Sequence, residues 1–195
     1  APGIETLLAL EPMWKQYLDI KFSKVATLKN DLAAKLKKIQ EVEKSYTEVL
    51  RKKQGLTANA SAEVEGFLVE GTNSEQQYLT NGGFRLISSG GYFHSLPMDP
   101  LRVFIDRSAE AQRAMGFRNE KDHPEVAPSQ FEMNFSYSEV VRTADNIQLY
   151  KLICRQVARS MGLTATFLPK PFVGINGSGM HTNLSLAKNG KNIFY

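Results

Sequence analysis

Four carboxylates and one imidazole stand out in this chain: Glu63 and Glu65 in EVE, Glu125 and Glu132 in EVAPSQFE, and His181 in NGSGMH. All lie in short segments that read as extended backbone. Hard oxygen donors with a single imidazole make a site for a hard divalent cation plausible. Glu63 and Glu65 are two apart, so on a strand they share one face. Two carboxylates held there repel each other unless a cation intervenes; taken alone, EVE also fits the exposed face of an edge strand. Glu125 and Glu132 are seven apart, an odd separation that would send them to opposite faces of an unbroken strand. Pro128-Ser129 between them is expected to break the strand through a bulge or bend and reset that parity.

The run Lys170 to Ser185, KPFVGINGSGMHTNLS, sets Gly174, Gly177 and Gly179 around Asn176 and then delivers His181 onto a strand. Glycines at that density suit a backbone that turns tightly or lies close to a ligand. Lys170, between two prolines, reads equally as a structural residue or a phosphate-side cation. Cys154 sits within a helical pattern and reads as a small buried apolar residue, not a nucleophile. His94 and His123 lack a comparable context and read as surface or supporting residues.

EVEGFLVE, GGYF, HPEVAPSQFE, TADNIQLYKL, ATFLPKPFVGINGSGMH and NLSL follow one another in this order, with 35 residues from Gly90 to Glu125. Residues 61–195 thereby resemble the first half of the glutamine synthetase catalytic domain, in its bacterial type I form; residues 1–60 match nothing in that family. The resemblance implies that Glu65, Glu125 and Glu132 hold one divalent ion and that Glu63 and His181 hold a second. It further implies that Asn176 and Gly177 bind glutamate through the loop backbone, and that Glu120, Tyr137, Asn183 and Ser185 contact ATP. A histidine also stands at His123 in many relatives without being a metal ligand. The implied reaction joins ammonia to the glutamate γ-carboxylate by way of γ-glutamyl phosphate, with ATP as co-substrate and Mg²⁺ or Mn²⁺ as cofactor. Members of the family are homo-oligomers of the cytoplasm. Two other functions stay open: a non-catalytic scaffold of the same fold, and a ligase for an amine other than ammonia. The family's leading β-grasp domain, its remaining metal glutamate and its phosphate arginines have no counterpart here. The 195 residues alone are therefore expected to lack turnover, whether they are a fragment, a chimera or a decayed homologue.

The elements that must position these residues read as α+β: an antiparallel sheet with flanking helices, behind one long amphipathic helix. Strands are expected over 63–70, 82–87, 125–135, 164–168 and 180–186, with a hairpin turn at Asn189-Gly190. Helices are expected over 108–115, capped by Ser108, and over 139–161, stopped by Gly162. Residues 12–53 carry Leu18, Val25, Leu32, Ile39 and Tyr46 at seven-residue spacing, with Val42, Val49 and others widening the stripe. Pro12 suits the start and Gly55 the end, and Asn59–Ser61 reads as a linker to the second region.

Charge supports this division. The chain has 24 Lys and Arg against 20 Asp and Glu; residues 1–60 hold eleven against seven, leaving thirteen of each for the rest. The excess of four thus belongs to the helix, where spaced lysines suit a solvated face, and is too sparse for nucleic acid. No apolar run nears the roughly 18 residues of a membrane span, and no signal-peptide pattern opens the chain. A helix of 42 residues would be about 60 Å long at 1.5 Å per residue, and its stripe needs another surface to be stable. Replacing Leu32 and Ile39 with Asp is expected to disperse a self-associated species, and sedimentation velocity reads the change directly.

Overall fold

The computed structural model describes residues 51–194 throughout and a discontinuous set of positions between 23 and 49. Two compact units meet between Gly55 and Leu56. In the first, every described position up to Gln54 is helical. Thr27 donates its hydroxyl to the Ser23 carbonyl at 3.0 Å, and Lys52 pairs with Glu48 at 3.5 Å, one turn apart. Gly55 ends the helix as expected, with φ +67° and its N–H on the Arg51 carbonyl. Val42 and Val49 are exposed within this unit. Pro12 and the anchors Leu18, Val25, Leu32, Ile39 and Tyr46 lie outside the described residues.

The second unit is built on one long strand, β1 (Leu56–Glu70). The expected linker at Asn59–Ser61 is part of it: small polar residues look like a linker, but here they suit a strand crowded on both edges. Residues 56–64 pair antiparallel with β6 (Met180–Lys188), while Asn59 and Ala60 also pair with β4 (Ser138–Glu139) on the other edge. Further along, Glu65–Phe67 pairs with β3 (Gln130–Phe135) and Phe67–Glu70 with β5 (Leu163–Thr166). β2 (Asn119–Pro124) lies outside β3, and β7 (Lys191–Asn192) outside β6. The order is β2-β3-β1-β6-β7. Asn189 and Gly190 both take positive φ (51° and 76°), the conformation of a tight hairpin turn.

Three expectations need correcting. Of the strand expected over 125–135 only 130–135 is strand (β3); residues 125–129 form the turn that joins it to β2, with Ser129 at φ +63°. Residues 82–87 contribute a single bridge, Leu86 opposite Val69, and no strand. The short helix capped by Ser108 is α1 (Pro100–Ala114), capped by Asp99, whose Oδ1 accepts the Leu101 N–H at 2.8 Å with proline in the first turn. Ser108 is buried mid-helix instead. The Asp-Pro start was masked by LRVFI, an apolar run too short to separate helix from strand. α2 (Val140–Ser160) matches its expectation closely, with Glu139 at its start.

Both helices cover the even-numbered face of β1. Ala62, Val64 and Leu68 pack there with Leu101, Phe104 and Ile105 of α1, Tyr150, Cys154 and Ala158 of α2, and Phe131, Met133 and Phe135 of β3. Burial pushes the Cys154 thiol well up, so it stays a thiol, as a structural cysteine should. Between β4 and β3 one edge of β1 has no strand beside it. A helix side chain fills that gap, Tyr150 bonding the Val64 carbonyl at 2.8 Å, while Thr143 bonds the Ala60 carbonyl at 2.9 Å beside β4. Tyr150→Phe leaves a buried carbonyl without its donor and is expected to cost about 1–3 kcal/mol, measurable by urea denaturation of the chain.

Candidate functional site

The odd-numbered face of β1 carries the carboxylates. Glu65 stands opposite Glu132 of β3, Glu132 stands opposite His123 of β2, and Glu63 stands opposite His181 of β6. Directly opposed residues share a face, so Glu63, Glu65, His123, Glu132 and His181 all project to the same side. Glu125, two beyond His123, joins them through the hairpin turn, its N–H on the Gln130 carbonyl at 2.8 Å. A small apolar cluster of Phe67, Val69 and Ala127, flanked by Phe84, Phe172 and Ile175, borders this face.

Two donor groups result. On one side, one ligand atom each from His123, Glu125 and Glu132 lie within 4.8 Å of one another, and both carboxylates are buried. His123 Nδ1 reaches the Pro124 carbonyl at 2.9 Å. A carbonyl only accepts, so the ring donates through Nδ1 at this contact; the same nitrogen lies 3.7 Å from Glu125 Oε1. On the other side, Glu63 Oε2 lies 3.8 Å from His181 Nδ1, and Oε1 accepts from Asn183 Nδ2 at 3.1 Å. Glu65 lies between the groups, its Oε2 fixed by Gln130 Nε2 at 2.8 Å and the Gly179 N–H at 2.9 Å.

Burial pushes the Glu132 carboxyl above the ordinary range, and the neighbouring Glu125 raises it further, against a lowering hydrogen bond from Asn134. Tyr92 stacks on the His123 ring, centroids 5.7 Å apart at 27°. A hydrogen bond to Glu125 pushes its phenol up. An arrangement of buried like charges with hard donors on a common face fits a divalent cation better than it fits an unliganded fold.

The glycine run lies against this face. Glu65 donates its N–H to the Gly179 carbonyl at 3.1 Å, and Gly179 sits where a Cβ would come within 3.0 Å of the His181 ring and 3.3 Å of Glu65 Oε1. A Cβ on Gly177 would lie 2.5 Å from the Pro169 carbonyl. These glycines permit close approach of the protein to itself, whatever ligand they also admit. Asn176 is exposed in the same loop. Lys170 is committed to the Ile175 carbonyl, which favours its structural reading.

The four residues expected at ATP are not gathered at one point. Tyr137, exposed, lines a cavity of about 320 Å³ with Arg118, Phe135, Arg142 and Asn146. Glu120 falls at the irregularity between Asn119 and Lys121 in β2 and is not among the residues lining that cavity. Asn183 and Ser185 follow His181 along the site face of β6, opposite Ser61 and Asn59. Sequence reading gave no role to Tyr92 or Gln130 and left His123 as a surface or supporting residue. The alternation of His123 with Glu125, and of Gln130 with Glu132, was the available signal.

Residues 40–195 match the family model described as glutamine synthetase, catalytic domain. The chain belongs to the glutamine synthetase family. The match begins 23 residues before Glu63, where the first motif starts, so part of the region read as unrelated is covered. Among similar glutamine synthetases, that of Methanosarcina mazei is 42% identical over 146 residues, 73% of this chain and 31% of the relative. That of Thermus thermophilus is 50% identical over 112 residues, covering 54% of this chain and 24% of the relative. The cryo-EM structure of Plasmodium falciparum glutamine synthetase superposes with a TM-score of 0.64 at 28% identity, over 78% of this chain and 34% of that one. An ADP complex of GmaS gives 0.64 at 26%, over 77% and 34%. The chain thus spans about a third of the length of these relatives. Among the described residues no helix is long and apolar enough to cross a membrane.

Glu132→Gln removes a buried charge facing Glu125. A carboxyl whose pKa is raised on folding stabilises the fold while protonated, and that stability is lost as pH rises toward the raised value. The cation-free variant is therefore expected to melt above the wild type near neutral pH. The difference should shrink below about pH 4, where glutamate is protonated in folded and unfolded chains alike; differential scanning calorimetry across pH tests this.

Proposed function

We propose that this glutamine synthetase-family chain carries the cation-holding part of an active site for ATP-dependent ligation of ammonia to the glutamate γ-carboxylate, through γ-glutamyl phosphate. The observation that carries the reading is the register of β1: Glu65 opposite Glu132 and Glu63 opposite His181, on one face. In this reading Glu65, Glu125 and Glu132 hold one Mg²⁺ or Mn²⁺, and Glu63 with His181 holds a second. Divalent cations there would offset the negative charge that gathers when a carboxylate meets a phosphoryl group.

The chain's own residues supply the rest. Asn183 orients Glu63 through its side-chain amide, and Gln130 with the Gly179 N–H orients Glu65. Asn176 and Gly177 would receive glutamate on the loop beside Glu65. Tyr137, with Arg118 and Arg142 around its cavity, suits the base and phosphates of a nucleotide, an aromatic face beside two cations. His123 and Tyr92 over it form the wall nearest Glu125. Glutamate, ammonia and ATP are the substrates assigned, and a homo-oligomer the assembly.

The test is cation binding by the chain itself, followed as free Mn²⁺ by electron paramagnetic resonance. The wild type is expected to bind Mn²⁺, and ADP more tightly in its presence. Glu65→Gln is expected to weaken Mn²⁺ at least about tenfold, since a ligand charge is lost. A chain with no Mn²⁺ affinity, or a variant that binds as well as the wild type, would overturn the reading.

A further inference from the structure

Gln130 is 1% exposed, and every hydrogen-bonding group of its side-chain amide has a partner. Nε2 donates to Glu65 Oε2 at 2.8 Å and to the Gly177 carbonyl at 2.9 Å. Oε1 accepts the Ala127 N–H at 3.3 Å. The orientation of the amide is decided by these partners: two acceptors face the nitrogen and one donor faces the oxygen. One side chain thus joins three separate segments, namely β1, the glycine loop and the turn of the β2–β3 hairpin.

We propose that Gln130 is a positioning residue that couples cation binding at Glu65 to order in the glycine loop. The coupling rests on the cation reading above and adds to it a route by which the site and the loop sense each other. Glu65 Oε2 takes both hydrogen bonds, while Oε1 accepts none from the described residues. The carboxylate is therefore clamped at one oxygen and presents the other. With a cation held at Glu65, the fixed carboxylate would hold the Gln130 amide and the Gly179 N–H, and through them residues 177–179. In reverse, an ordered loop presents Glu65 already oriented, so the cation need not order it. Such coupling is reciprocal in free energy.

The side chains nearest to glutamine in size do not do this. Glutamate at 130 offers no donor and places a second carboxylate against Glu65. Methionine fills the same space but leaves the Gly177 carbonyl without a donor and Glu65 Oε2 with one instead of two. Asparagine is one carbon short of the span from β3 to the loop.

The experiment compares wild type, Gln130→Met and Gln130→Glu by Mn²⁺ titration and by amide hydrogen exchange with and without saturating Mg²⁺. In the wild type, cation is expected to slow exchange at Ser178 and Gly179. In Gln130→Met the Mn²⁺ affinity should fall roughly tenfold. Cation-dependent slowing at 178–179 should vanish, while exchange in α2 and central β1 stays as in the wild type. Gln130→Glu should uncouple the two in the same way, and serves if the methionine variant does not fold. Wild-type chain that binds Mn²⁺ without any slowing at 178–179 overturns the coupling with no variant needed. So does a variant that keeps both affinity and slowing, or one whose exchange rises equally throughout α2, which would mark a purely structural role. Failure of the wild type to bind Mn²⁺ at all overturns the cation reading instead.

Discussion

An antiparallel register leaves no freedom over which side chains share a face. Once Glu65 pairs with Glu132 and Glu63 with His181, every odd position of β1 is committed to one side and every even position to the other. Ala62, Val64 and Leu68 then meet the helices. A slip of one residue would put two glutamates into that core and three apolar side chains into the site, an exchange of many kcal/mol in the wrong direction. The Tyr150 hydroxyl holds the Val64 carbonyl on the edge that lacks a neighbouring strand, and the Thr143 hydroxyl reinforces Ala60 beside β4. The helix that covers the sheet also helps fix which residues reach the site face.

The site face is costly for the fold. Glu125 and Glu132 are both buried, close together and of like charge, and their burial removes the solvation that would normally support them. The apolar cluster around Phe67 and Val69 strengthens that effect by excluding water from one flank. What balances it is the core on the opposite face of the same strand. β1 therefore spends packing on one side to hold unfavourable charge on the other, which is the usual relation between a scaffold and a charged site.

Much of this was legible in the residues. The spacing of Glu63 and Glu65 gave their common face directly, and Asn189-Gly190 gave the final hairpin. Gly55, Gly116 and Gly162 marked helix ends, each with positive φ. The motifs from EVE to NLSL placed the chain in its family. What was not legible depended on long-range partners. Asn59–Ser61 is a strand because β6 and β4 flank it, which no local pattern records. The parity of Glu125 and Glu132 was argued for one bent strand, whereas the chain reverses and the pairing of His123 with Glu132 decides the face. His123 was set aside for lack of context, and its context is a residue nine positions away on the next strand. Gln130 lies within the HPEVAPSQFE motif but carries no charge; only the segments it bridges reveal its use.

Those bridges converge on one turn. Ser129, fully buried, takes φ +63°, a region a side chain other than glycine enters at a cost of about 1 kcal/mol or more. Glycine would remove that cost, yet it would also remove the hydroxyl. Ser129 Oγ accepts the N–H groups of Ile87 and Ser88 at 2.8 and 2.9 Å and donates to the Ser88 carbonyl at 3.1 Å. Three hydrogen bonds to backbone outweigh the strain. They also pin the start of the loop that carries Tyr92 over His123. Its neighbour Gln130 holds the glycine loop on the other side of the same turn. Adjacent residues of the β2–β3 hairpin thus anchor two loops from distant parts of the chain, 84–93 and 174–179, against one row of carboxylates. A hairpin turn is an economical place for this, because its backbone is already fixed by the strands it joins and so adds little further ordering cost.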